Sequence, residues 1–515
     1  MPEPAARPPR APRAARTDNS DNTNNATFAR DHGTMLSFAT SSPSATPRPL
    51  PPDARVAVVG SGISGLAAAW LLGQRHHVTL FEADTRLGGH TNTVDVAVDG
   101  VSAPVDTGFL VFNHHTYPNL TALFAHLGVA STATDMSFAV SFRETGLEWA
   151  GTNLNTVFGQ RRNLLKPAFW RMLRDILRFN REAPAWLDAQ PHDPRSLGAY
   201  LADNGYSREF SEWYLLPMAA AIWSCPTGKM LDYPLATFVR FCRNHGLLQV
   251  ADRPQWRTVL GGGREYVAKL ALGIDTIHLS TPVQGVERQA DGRVRLHAGS
   301  GDTTLGEVFD AVILACHSDQ ALAILGDGAR AEEKRLLGAL RYEPNVAWLH
   351  TDPALLPRRR SLWSAWNYVA DRPGLDARPV GVSYLINQLQ PLPFATPVVV
   401  TLNPDRLPRD EHVLARFDYA HPLFDGPAIA AQARLATLQG QDGVWFCGAW
   451  GGYGFHEDGL KSALAVANAL GCRAPWQGQP QAAPAGAPSQ APAWNPAPVL
   501  DLQGGGLQSR AQSRV

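Results

Sequence analysis

Cysteine is scarce in this sequence and follows no pattern. The five residues Cys225, Cys242, Cys316, Cys447 and Cys472 are scattered and odd in number, and no two form a CxxC pair. This argues against a disulfide framework and a paired-thiol zinc site, and it fits buried reduced thiols in the cytosol. Net charge is absent as well, with 46 Lys plus Arg balancing 46 Asp plus Glu. No whole-chain footprint for nucleic acid results, and no nucleic-acid partner is expected. Long apolar runs are missing too. The longest, Val56 to Leu72, is broken by glycines and serines, so no membrane span is expected. Arg7, Arg10, Arg13 and Arg16 have no apolar segment behind them, so a secretory signal is not expected either. No Ser–His–Asp constellation and no clustered metal-ligand pattern stands out, and no metal is expected.

What is present is an ordinary globular core, 44% of 515 residues being apolar, between two ends of different composition. Residues 1–52 are rich in Pro, Ala, Arg, Ser and Asn, and 475–515 in Pro, Gln, Ala and Gly. Both ends read as disordered tails around a body at 54–473, because such compositions bury too little apolar area to offset chain entropy. The body opens with a βαβ pattern: the β-branched run Val56–Val59, a helical stretch carrying Leu66, Trp70 and Leu71, and the strand Val78–Phe81. Thr93–Val105 alternates around Asp99-Gly100 as a hairpin, and Asn163–Leu187 is helical and basic. A strand-rich stretch from His278, with turns at Ala290-Asp291-Gly292 and Ser300-Gly301-Asp302, ends in Ala311–Ala315. The strand Val444–Cys447 then leads through glycines into a helix from about Leu460. Pieces of a nucleotide-binding domain thus recur at the start, middle and end, with another domain inserted between them.

Gly60-Ser61-Gly62-Ile63-Ser64-Gly65 is a complete GxGxxG between a strand and a helix. The first glycine permits the tight turn, the second admits a pyrophosphate to the backbone, and the third lets helix and sheet pack closely. The helix N-terminus then offers free N–H groups to phosphate. Glu82 ends the second strand, where an acid binds a ribose 2′-OH. FAD and NAD share this fingerprint. The pair Gly88-Gly89 distinguishes them, since it lets backbone pass beside a flavin's ribityl chain, for which a plain dehydrogenase has no use. Gly448 and the segment Gly454 to Gly459 supply a second glycine-led helix start, able to present donors to a flavin ring. Glu457 and Asp458 also suit that helix start simply as first-turn acids.

With these motifs the chain resembles the flavin-containing amine oxidase superfamily, which includes phytoene desaturases and protoporphyrinogen oxidases. Within it, the chain resembles a bacterial subgroup of predicted NAD/FAD-binding proteins. The likeness runs through Asp106-Thr107-Gly108-Phe109, Thr116-Tyr117-Pro118-Asn119-Leu120, Ala221 to Pro226, Asn244 to Leu248, Asp252 to Val259, Cys316 to Ala321 and Gly454 to Asp458. It implies an α/β fold, a three-layer Rossmann-type FAD-binding domain with an inserted α+β substrate domain. The FAD domain is expected at approximately 54–112, 258–330 and 440–473. The likeness also implies FAD contacts at Gly60, Gly62, Ile63, Ser64, Gly65, Glu82, Gly88, Gly89, Val283, Gly448, Asp458, Gly459 and Leu460. Many superfamily members place Arg after the glycine pair, where this chain has His90. Subgroup relatives are often associated with cyclopropane or methyl fatty-acid synthesis, which implies a fatty-acyl or other lipid substrate. Oxidation of a soluble amine, a structural or regulatory flavin-binding role and UDP-sugar mutase chemistry are the alternatives.

No catalytic residue is assigned. His317 reads as a turn or helix-start residue, His456 as a neighbour of the flavin-side helix start, and Cys447 as a small residue ending a buried strand. Trp450 and Tyr453 are read equally as core and as walls of a substrate pocket. Arg171, Arg174, Arg178 and Arg181 form a cationic stripe, bordered by apolar faces holding Phe169, Met172 and Ile176, and Trp170, Leu173 and Leu177. This is either a solvated surface helix or a peripheral contact with the inner membrane surface. The purified protein is expected to be yellow. Heat or acid should release intact FAD and leave none on the polypeptide, as chromatography of the released flavin will show.

Overall fold

The run Val56–Val59 is apolar at every position because both faces of its strand are covered, as parallel strands require. In the computed structural model Arg55–Val59 lies at the centre of a five-stranded parallel sheet. The order across the sheet is Thr276–His278, His77–Phe81, Arg55–Val59, Ala311–Leu314 and Val444–Phe446. Alternation divides its side chains. Val56, Val58, Leu80, Ile313 and Trp445 enter a core beneath the helices Ile63–Leu72 and His456–Ala469. Ala57, Val59, Phe81, Val312 and Phe446 enter another, beneath a meander of Val283–Arg288, Val294–Ala298 and Leu305–Phe309 with its neighbouring helices. The fold is therefore α/β and three-layered, with a further domain attached.

That further part was not legible element by element. A seven-stranded mixed sheet runs Val413–Pro422, Tyr342–His350, Val399–Leu402, Val382–Leu385, Trp366–Ala370, Phe138–Phe142 and Leu147–Ala150. Helices between Pro167 and Asn244 share one core with it. The described residues are 50–191, 193–249, 253–299, 305–374 and 381–478, all within one compact unit, Thr46–Val515. Most of the two expected tails and the expected turn at Ser300-Gly301-Asp302 lie outside the described residues.

Several expectations need adjustment. The hairpin forms as expected, Thr93–Val98 against Val101–Asp106, with Asp99 at φ 52° and Gly100 at φ 75° in the turn. The last helix starts at His456 rather than near Leu460, because the Asp458 carboxylate accepts from the amides of Tyr453 and Phe455 and caps it earlier. The basic helix spans Pro167–Ala189, but its apolar faces are not both free. Phe169, Met172 and Phe179 are buried in the core, so Phe169 is unavailable to a membrane. The outward line is Trp170, Arg174, Leu177 and Arg181. Among the described residues, no helix is long and apolar enough to cross a membrane.

The ordered body also outlasts Pro475. Trp476 stacks on Trp70 with centroids 6.3 Å apart and planes at 12°, and it lies 6.2 Å from His126. Its indole covers the outer edge of helix Ile63–Leu72, which composition alone did not reveal. Trp476→Ala should therefore lower stability by about 2 kcal/mol, measured as a lower denaturant midpoint at unchanged slope. A loss below about 0.5 kcal/mol, the scale of a surface substitution, would show that the stack adds nothing.

Candidate functional site

The end of the first strand sets the site. The Gly60 amide donates to the Phe81 carbonyl at 2.8 Å, and the residue holds φ 98°, a conformation that favours glycine. A Cβ at Gly65 would stand 1.8 Å from the Gly60 carbonyl oxygen. Only hydrogen fits there, and the close approach turns the N-terminus of helix Ile63–Leu72 toward a cavity of about 980 Å³. At Gly62, by contrast, a Cβ would meet nothing within 4 Å, because it would project into that cavity.

A second glycine loop closes on the first. The Gly88 amide donates to the Ser61 carbonyl at 3.0 Å, and a Cβ at Gly89 would lie 3.2 Å from Gly62 Cα. Arg86 holds this loop from outside by donating to the carbonyls of Leu87, Gly89 and Thr91. Glu82 accepts from the Ser61 amide at 2.8 Å, the Ser61 hydroxyl at 2.5 Å and the Asp84 amide at 2.8 Å. Gly60, Gly62, Ile63, Ser64, Glu82, Gly88, Gly89, Val283 and Gly448 all line the cavity. Gly65, Asp458, Gly459 and Leu460 do not. Gly459 instead allows the last helix to seat on the first, where a Cβ would fall 2.8 Å from Ile63 Cγ2 and Ser64 Oγ. Burial raises the Asp458 carboxyl to about 6, opposed by the two amides it accepts from.

The residues read as non-catalytic fall into clear roles. His456 stacks on Phe109 at 3.7 Å, and its Nε2 lies 2.9 Å from Thr91 Oγ1 and 3.1 Å from Tyr266 Oη. It lines the cavity with that nitrogen already engaged. Cys447 turns into the helical core and is not part of the wall. His317 precedes helix Ser318–Leu325, and its ring stacks on Tyr342 at 4.4 Å. His90 sits among His317, His421 and Tyr419, with centroids 5.0 to 5.9 Å away. Burial holds its imidazole well below its usual range, so a neutral ring stands directly after the glycine pair.

The other half of the cavity is aromatic, with Tyr117, Trp223, Phe241, Trp256, Trp366, Tyr384, Tyr453 and Phe455 beside Met136, Ile222 and Leu247. Among the described residues, four charged ones line the cavity: Glu82, Asp84, Arg86 and Asp418. The first three follow the glycine loops, while Asp418 is exposed and paired with Arg416. One polar residue of this half had been quoted in a motif without a role. His245 ends helix Leu235–Asn244, stacks on Phe241 at 4.0 Å and places Nδ1 3.0 Å from the Phe241 carbonyl. With Nδ1–H donating there, Nε2 is left as an acceptor. Burial lowers its pKa to about 4, so the ring is neutral at pH 7. The motif at Trp223 is explained by Ser224, whose φ of 51° makes the turn that leaves Ile222 and Trp223 on the wall. Among the described residues, no three of His, Cys, Asp and Glu are grouped to hold a metal ion.

The residues suit a dinucleotide that carries a large flat ring. Paired backbone loops and an open Gly62 stand at one end with Glu82 beside them, and aromatic walls occupy the other end. Comparison with known proteins agrees. Residues 63–353 match the family described as flavin-containing amine oxidoreductases. AofH of Mycobacterium tuberculosis, provisionally named a flavin-containing monoamine oxidase, is 28% identical over 268 residues, 50% of this chain and 56% of that protein. The chain thus spans little more than half the length of that relative. Cyclohexylamine oxidase from Brevibacterium oxydans superposes with a TM-score of 0.57 at 18% identity, covering 82% of this chain and all of the other. A fatty acid isomerase from P. acnes that produces CLA superposes with a TM-score of 0.57 at 14% identity, covering 80% and 98%. At such identities the two structures establish the shared fold. Taken with the family match, the glycine loops and the cavity identify the chain as a member of the flavin-containing amine oxidoreductase family.

Proposed function

We propose that the protein oxidises an apolar substrate of the fatty-acyl or lipid class, in a desaturase-like reaction, in the cytoplasm beside the inner membrane surface. The observation that carries this reading is the aromatic half of the cavity, whose wall among the described residues presents no charged side chain. An ammonium brought there would lose its hydration without a counter-charge, a cost of several kcal/mol. An acyl chain loses only water, gaining about 0.8 kcal/mol for each buried CH₂. A soluble amine is the second reading, favoured by the neighbouring aromatics Tyr453 and Phe455.

In this reading the segments at approximately 54–112, 258–330 and 440–473 form the flavin domain, and the intervening chain forms the substrate domain. Gly60 to Ser64 and Gly88-Gly89 offer backbone to the pyrophosphate, Glu82 accepts from a ribose hydroxyl, and Val283 and Gly448 flank the remainder. Asp458, Gly459 and Leu460 act from one layer behind, by setting the position of the last helix. Bound FAD supplies the two-electron oxidant that removes a hydride equivalent from a substrate carbon. The accompanying proton or hydrogen bond has an acceptor in His245 Nε2, and the aromatic walls exclude water from the reacting carbons.

Two experiments test the reading. Gly62→Val should fold with an unchanged melting temperature in the flavin-free state, since its side chain enters open space, yet retain little FAD. Gly65→Ala should fail to fold, because its methyl meets the Gly60 carbonyl. A Gly62→Val protein with normal FAD content would show that the binding loop is misassigned. For the substrate, anaerobic mixing of FAD-loaded protein with detergent-solubilised unsaturated fatty-acyl phospholipid should bleach the flavin's visible absorbance. Putrescine and cyclohexylamine should not. Bleaching by the amines alone would replace the lipid reading with the amine one.

A further inference from the structure

Eleven large apolar side chains are exposed among the described residues, and five of them, Leu154, Leu164, Leu165, Trp170 and Leu177, fall in one short stretch. Leu165 is 87% exposed and Leu154 77%, far more than a satisfied surface turn requires. The same stretch, Leu154 to Arg181, carries Arg161, Arg162, Lys166, Arg171, Arg174, Arg178 and Arg181 in a chain with no net charge. Its one acid, Asp175, is buried and accepts from the Ser207 amide.

These residues form one surface. The Phe158 amide donates to the Leu154 carbonyl, and the Phe158 ring lies 5.2 Å from that of Trp170. Trp170 Nε1 donates to the Leu164 carbonyl at 2.9 Å, tying the 3₁₀ turn Arg161–Leu165 to the first turn of helix Pro167–Ala189. Along that helix Trp170, Arg174, Leu177 and Arg181 share the outward line at helical spacing. Part of the charge is internally balanced, with Arg171 pairing with Glu209, Arg174 with Asp175, and Arg178 and Arg181 with Glu182. Arg161, Arg162 and Lys166 have no carboxylate partner among the described residues. The cationic excess therefore stands beside the exposed Leu164 and Leu165.

We infer that the turn Leu154–Leu165 and the outward line of helix Pro167–Ala189 form a docking surface for an anionic phospholipid membrane. Charge complementarity selects this occupant. Leucines and a tryptophan ringed by arginines match a lipid interface, where apolar side chains enter the acyl boundary and cations meet headgroups. A nucleic acid would leave Leu154 and Leu165 in water, and a second copy of this chain would set the unbalanced Arg161, Arg162 and Lys166 against like charges. The surface deepens the lipid-substrate reading, but it rests on residues outside the cavity, so the two fail separately.

The test is co-sedimentation of the full-length FAD-loaded protein with vesicles of phosphatidylglycerol and phosphatidylcholine, or of phosphatidylcholine alone. Binding should require phosphatidylglycerol and weaken as salt rises. Arg161→Gln, Arg174→Gln and Arg181→Gln together should weaken it roughly a hundredfold, at about fivefold per cation. Leu164→Ser with Leu165→Ser should weaken it at least tenfold. Both variants should keep their FAD and melting temperature, because the substituted side chains are exposed. Absence of wild-type sedimentation at low salt would overturn the inference, as would binding that either variant leaves unchanged. So would a patch-dependent dimer or tight binding to a DNA duplex. Flavin bleaching by acyl lipid without vesicle binding would leave the substrate reading standing and remove the surface alone.

Discussion

The site depends on one contact from which side chains are excluded, the approach of Gly65 to the carbonyl of Gly60. A hydrogen at residue 65 lets the first strand pass directly into the first helix, so that helix points its free amides into the cavity. The other walls are positioned relative to it. Gly89 rests on Gly62, Gly459 seats the last helix against Ile63 and Ser64, and Asp458 starts that helix at His456. Backbone packed on backbone is rigid, and it is indifferent to the substrate chemistry in the other half of the cavity.

This explains which parts were legible in advance. Glycines required by a turn or a close approach leave a local signature, so the strand–loop–helix, Glu82 and the Asp99-Gly100 hairpin could be read residue by residue. The seven-stranded sheet could not, because its neighbours are remote in sequence. Trp366–Ala370 pairs with Phe138–Phe142, and no local pattern encodes that pairing. Basic periodicity found helix Pro167–Ala189 but misjudged its faces, since burial of Phe169 and Met172 depends on partners from elsewhere in the fold. His245 escaped for the same reason. Its tautomer and its access to the cavity come from Phe241 and from aromatics contributed by distant segments.

The histidines near the glycine loops illustrate how one imidazole type serves different ends. His456 is held by Thr91 and Tyr266, His317 by stacking on Tyr342, and His245 by a helix carbonyl that leaves one nitrogen open. Burial keeps His90, His245, His421 and His456 neutral near pH 7. These histidines thus present acceptors and aromatic edges to the cavity rather than positive charge.

The order of strands in the parallel sheet also constrains how the protein is made. Arg55–Val59 pairs with Ala311–Leu314, which in turn pairs with Val444–Phe446. During synthesis the glycine loop leaves the ribosome early, while two of its supporting strands are still untranslated. The nascent chain must therefore carry this apolar strand with one edge unpaired, beside His77–Phe81 alone, until Ala311–Leu314 is made. Contacts of such sequence separation form slowly and leave edges open to aggregation. The sheet that carries the glycine loop is complete only when Val444–Phe446 has joined it, and a chaperone's protection is most valuable in the interval before that strand arrives.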